Sequence, residues 1–171
     1  MSEATIVRIW PGEKTECDIE LRNAFGFGPS VWGSVCEKYL SDGNWMMQAE
    51  NLWPLWRDER LPLHQRAVLG MTYDRVYILK EDYARAAEDI RKYLVDLPVD
   101  GRKVNHWPAI AEYLESNPDC PAVGFWGTSV CGNPWQGEYD EELDDYGSID
   151  WSDKWSLYEH LEASDEEESQ E

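Results

Sequence analysis

Gly127-Thr128-Ser129-Val130-Cys131 sets a hydroxyl and a thiol at the end of an apolar run, AVGFWGTSV (122–130), where nucleophilic chemistry could sit. A G-x-S-x-G nucleophile elbow needs a small residue at its last position and a helix directly after it. Cys131 fills that position and the turn-forming CGNPWQG follows, so Ser129 reads as a strand-end hydroxyl. A Cys/His pair made from Cys131 or Cys36 with His106 would need an electropositive setting to lower the thiol pKa. The chain has a formal net charge of −20, which works the other way. The four cysteines, Cys17, Cys36, Cys120 and Cys131, lack the short paired spacing of a zinc site. They are expected as buried or free thiols, with no metal and no cofactor.

The larger chemical signal is a run of carboxylates. Of 35 Asp/Glu, fifteen lie between Glu138 and Glu171 against one base, Lys154, so this stretch carries −14 and residues 1–137 carry −6. Set on a calcium-loop template with Gly147 at the sixth position, Glu142, Asp144 and Asp153 fall at positions 1, 3 and 12. Tyr146 stands at position 5 and an Asp replaces the long bidentate Glu, so a defined calcium loop is not expected. Charge concentrated in this way governs association and solubility rather than fold, and points to a partner.

The stretch divides into three. Residues 138–149 form an acidic strip displaying Asp140, Glu141, Glu142, Asp144 and Asp145, with Tyr139, Leu143 and Tyr146 as its anchors. Residues 150–162 form an amphipathic helix with Asp150 at its N-cap, Asp153 in its first turn, and Trp151, Trp155, Leu157, Tyr158 and Leu161 on one arc. Residues 163–171 end in DEEESQE, where acids at the negative end of the helix dipole predict a mobile, disordered tail.

The elements that must carry this stretch come from residues 1–137, a length that fits one domain with a core of its own. Ten Trp, nine Tyr and three Phe are more aromatic surface than a disordered chain carries. TIVRIW (5–10) and TECDIEL (15–21) around PGEK predict a β-hairpin. A helix follows Pro29, with Val31, Trp32, Val35, Cys36, Tyr39 and Leu40 inward. Residues 45–63 show no clean period and read as a helical turn and a loop. Residues 66–79 read as two β runs around TYDR, with a helix starting near Leu63 as the alternative. Lys80 to Leu94 has the clearest helical stripe, and its Glu81/Arg85 and Glu88/Lys92 spacings favour i,i+4 pairs. HWPAIAEYLES is a helix with Pro108 near its start, and residues 122–130 are a central strand. The expected fold is α+β, a small mixed or antiparallel sheet with three to four helices and an acidic C-terminal extension.

MSEATIVRIWPGEK lacks the basic and apolar regions of a secretory signal, and no run approaches the ~20 apolar residues that span a bilayer, so a soluble cytoplasmic protein is expected. Direct nucleic-acid binding is opposed by charge, because Arg57, Arg60, Arg66 and Arg75 are few and scattered among acids. In size, charge and aromatic content the chain resembles acidic phage and plasmid inhibitors of restriction or CRISPR nucleases. Carboxylates held on a folded body at a spacing comparable to that of phosphates would imitate the phosphate backbone and occupy the basic groove of a nucleic-acid-binding protein or nuclease complex, so a non-enzymatic inhibitor is expected, as in those proteins. The partner-binding residues would be Asp140, Glu141, Glu142, Asp144, Asp145, Tyr139, Tyr146, Asp150 and Asp153, with Trp135 as a further aromatic anchor. Three other readings stay open: acidic flanks that serve only solubility, an immunity protein that neutralises a basic toxin, and a small enzyme with its site near Cys131, Ser129 and His106.

Overall fold

The computed structural model describes residues 2–127 and 132–169, so Ser129, Cys131 and the last two residues lie outside it. Among the described residues the fold is α+β, a five-stranded mixed sheet and a small two-stranded one with six α-helices. β1 (Glu3–Trp10) and β2 (Lys14–Arg22) form the expected hairpin. Its register steps from Ile6↔Ile19 to Val7↔Cys17, leaving Asp18 as the extra residue of a β-bulge. α1 (Gly28–Tyr39) follows with a proline in its first turn, and it buries Val31, Trp32, Val35 and Cys36 as the pattern predicts.

The stretch without a period contains α2 (Ala49–Leu52) between two 3-10 turns, Trp45–Met47 and Trp53–Arg57. Where two β runs are predicted over 66–79, the first is instead a helix, α3 (Leu63–Met71), and only β3 (Val76–Leu79) is a strand. The cause is burial: every residue from Gln65 to Met71 is enclosed, and an apolar run buried on all sides loses the period that tells helix from strand. α2 and α3 account for the excess over three to four helices. α4 (Tyr83–Asp96) and α5 (Trp107–Glu115) match their sequence patterns. Glu88 pairs with Lys92 at 3.1 Å, but Arg85 reaches away from Glu81 to Glu162 at 2.8 Å.

β4 (Ala122–Gly127) is central, antiparallel to β1 on one side and β3 on the other. The remaining elements are the two-residue strands β5 (Tyr139–Asp140), β6 (Asp145–Tyr146) and β7 (Trp155–Ser156), then α6 (Leu157–Ser169). The sheet order is β2-β1-β4-β3-β7, with β7 parallel to β3. The helix predicted over 150–162 therefore starts late. The Trp155 amide donates to the Arg75 carbonyl at 2.8 Å, which draws residues 155–156 into the sheet and leaves Trp151–Asp153 as a single 3-10 turn. α6 also continues through residues 163–169, which the sequence pattern assigns to a tail.

The two faces of the sheet are covered differently. Ala4, Ile6, Val76, Ile78, Val123 and Phe125 meet the helices in the main core, which Leu157, Tyr158 and Leu161 of α6 complete. Val7, Ile9 and Ala122 face the other way and are covered by Trp135, with Tyr77, Leu79, Trp126 and Trp151 around them. Thus the segment before α6 roofs the second face. No helix among the described residues is long and apolar enough to cross a membrane.

Candidate functional site

Trp135 is the fixed point from which the acidic strip is built. A Cβ at Gly124 would lie 2.7 Å from both Ile9 Cδ1 and Trp135 Cζ2, so the bare strand backbone is what lets the indole lie flat on the sheet. The Trp135 indole N–H donates to the Phe125 carbonyl at 2.9 Å, and the Thr15 hydroxyl donates to the Trp135 carbonyl at 2.6 Å. Lys154 lies 5.4 Å above the ring and 3.2 Å from an Asp153 carboxylate oxygen. One residue, through its indole and its carbonyl, thus ties β1, β2, β4 and the turn before β7 together.

Beyond Trp135 the chain crosses itself. The Gly147 backbone passes where a Gly137 side chain would sit, and the Gly147 amide donates to the Glu138 carbonyl at 2.8 Å. Between these glycines, β5 and β6 pair as an antiparallel hairpin, Tyr139 opposite Tyr146 and Asp140 opposite Asp145. A four-residue loop joins them, and Asp144 takes the left-handed conformation, φ 50°, that the turn requires. Asp140 Oδ1 accepts from the Glu142 amide at 2.9 Å and the Leu143 amide at 3.3 Å. The Tyr139 hydroxyl donates to Asp144, a bond that pushes the phenol pKa up, and its ring meets Tyr146 edge-on at 5.3 Å.

This hairpin brings together most of the predicted residues. Asp140, Glu141, Glu142, Asp144 and Asp145 are all exposed, and among the described residues no Lys or Arg lies within ion-pair distance of them. Tyr139, Leu143 and Tyr146, predicted as anchors, are instead exposed at 49%, 73% and 52%, because Trp135 and Trp151 do the anchoring. Asp150 borders the cleft beneath the hairpin, and its carboxylate accepts from the Ser152 amide and hydroxyl, which hold its pKa below the usual range. Asp153 is half-buried against Lys154, so it belongs to the support rather than to the display. Trp135 is 1% exposed and cannot be a contact residue. None of the ten tryptophans is exposed.

Two of the later acids behave differently. Asp165 takes both terminal nitrogens of the Arg66 guanidinium at 2.9 and 3.2 Å, and Glu162 takes Arg85, whose guanidinium also covers the Tyr158 ring at 4.0 Å. These carboxylates are neutralised by the body of the same chain.

The alternative chemistry is only partly visible. His106 Nε2 lies 2.8 Å from the Asn23 carbonyl, to which it donates, so that nitrogen serves the loop before α1. Cys17 is exposed on β2, whereas Cys36 is buried in α1 and Cys120 in the loop before β4. Among the described residues no group of three or more His, Cys, Asp or Glu is placed to hold a metal ion. The sequence reading of 138–149 as an acidic strip missed the hairpin, for which the flanking glycines Gly137 and Gly147 are the signal that could have marked it; the anchoring role of Trp135 had no local signal. Comparison with protein-family models, curated proteins and solved structures gives no match.

Proposed function

We propose that the chain is a non-enzymatic, acidic interaction protein that binds and inhibits a basic nucleic-acid-binding protein or nuclease complex by imitating a phosphate backbone. The carrying observation is the hairpin: five exposed carboxylates without a basic partner of their own, fixed to the sheet through Trp135, while Asp165 and Glu162 of α6 are spent on Arg66 and Arg85. Asp140 directly opposite Asp145 is a like-charge cross-strand pair, which costs stability in the isolated molecule. A cationic groove would relieve that repulsion on binding. Tyr139, Leu143 and Tyr146 supply apolar contact beside the charges, as binding hot spots do. Nucleic acid itself would be repelled by the same surface.

The test is capture from a host lysate on the immobilised chain, eluted along a salt gradient, in parallel with the variant Asp140→Asn, Glu141→Gln, Glu142→Gln, Asp144→Asn, Asp145→Asn. The expected result is a basic nucleic-acid-binding protein that elutes steeply with salt, competes with its own nucleic acid and is lost by the variant. Retention of equal affinity by the variant would sink mimicry. A captured toxin without a nucleic-acid groove would move the function to an immunity protein.

A further inference from the structure

A second site lies away from the hairpin and shares no residue with its cleft. It is a cavity of about 220 Å³ between the N-terminus of α1, the Trp53 turn, the Thr72–Asp74 turn and the C-terminal end of β4. Phe27, Trp32, Trp53, Tyr73 and Phe125 line it. Trp53 meets Trp32 at 75° and Tyr73 at 74°, with ring centroids 5.5 and 4.6 Å apart, so neighbouring rings stand as adjoining walls rather than as one stack.

The polar lining is nearly used up. Thr72 accepts from the Trp32 indole at 2.9 Å and donates to the Leu69 carbonyl at 2.6 Å, and the Phe27 carbonyl accepts from the Trp107 indole at 3.1 Å. The exception is Asp74, a half-buried carboxylate in the lining with no hydrogen bond or ion pair among the described residues. Neither Arg57 nor Arg75 lines the cavity, and Arg57 is held 2.7 Å from His160.

Aromatic walls attract a cation through their negative faces, and a carboxylate adds to that preference. A bare ammonium is strongly hydrated and loses that water on entry, whereas a methylated ammonium is bulky, weakly hydrated and apolar at its rim. The volume exceeds the ~150 Å³ that admits benzene, leaving room for such a head and a short stem. We propose that this cavity binds a methylated ammonium group, free or at the end of a lysine side chain, with Asp74 as its counter-ion and Trp53 and Tyr73 as its cage, backed by the buried Trp32. The site stands whether or not the hairpin is a mimic.

The experiment titrates the full chain with choline, its neutral carbon isostere 3,3-dimethyl-1-butanol, ammonium chloride and a capped Nε-trimethyllysine. Binding is followed by calorimetry and by the indole N–H signals of Trp32 and Trp53. Choline or trimethyllysine is expected to bind about tenfold more tightly than the neutral isostere, and Asp74→Asn, on the rim of the core, to remove most of that preference. Whichever cation binds more tightly identifies the source, a small molecule or a protein side chain. Equal binding of choline and its isostere, equal binding of ammonium, an unchanged preference in Asp74→Asn, or no saturable shift with any probe overturns the proposal.

Discussion

Trp135 and His160 are single side chains on which whole segments depend. Trp135 covers Val7, Ile9 and Ala122, and Trp135→Ala empties the space above Gly124. The expected cost is about 3–5 kcal/mol, read by urea denaturation, with loss of the ordered hairpin signals in an NMR spectrum. His160 is stacked against Trp56 at 4.8 Å and Trp155 at 4.9 Å, and its Nε2 accepts from Arg57 at 2.7 Å. A guanidinium only donates, so the imidazole is neutral. Burial, then Arg57, holds its pKa below the ordinary 6.5, with Glu167 opposing. The unfolded chain therefore takes up the proton first, so this stability is full above about pH 6.5 and is lost as pH falls toward the depressed folded value. His160→Gln should flatten the fall in unfolding free energy between pH 7 and pH 5; an unchanged slope would remove His160 from the account.

The hairpin and α6 make opposite predictions as elements. Because Gly137 and Gly147 already touch, residues 139–146 can be replaced by a short Gly-Ser link without stretching the fold. The shortened chain should keep its melting temperature within a few degrees and lose partner binding; a large loss of stability would make the hairpin structural. α6 carries Leu157, Tyr158 and Leu161 into the core and sets Asp165 against Arg66, which is buried. Asp165→Asn leaves the guanidinium without its counter-charge and should cost about 1–2 kcal/mol by urea denaturation, since the carboxylate side is partly solvated. Partner affinity should stay as it was, because this acid is already spent inside the chain.

Over the whole molecule, a net charge of −20 repels itself, and added salt acts on folding and on binding with opposite signs. Raising sodium chloride from low millimolar to 0.5 M should raise the melting temperature by screening that repulsion, while it weakens association with a basic partner. Parallel movement of the two quantities would argue that the charge serves solubility alone.

Charge position, the β1/β2 hairpin, α1, α4 and α5 were legible in the sequence, because each rests on a local rule: a count of carboxylates, a turn at PGEK, or a stripe such as Tyr83, Ala86, Ala87, Ile90 and Tyr93 on one helical face. The residues displayed on the hairpin were legible for the same reason, since exposed acids need no partner to be found. What the tertiary structure decided depends on surfaces far apart in the chain. Leu63–Met71 became a helix because its surroundings bury every side, and Arg85 left its local partner for Glu162. Arg75 drew Trp155 into the sheet, and Trp135 became the anchor through contacts with β1 and β4 that no window of sequence contains. The sequence by itself determined where the charge is; the second face of the sheet decided which of that charge is held out to a partner, because only long-range packing separates carboxylates already matched from those left exposed.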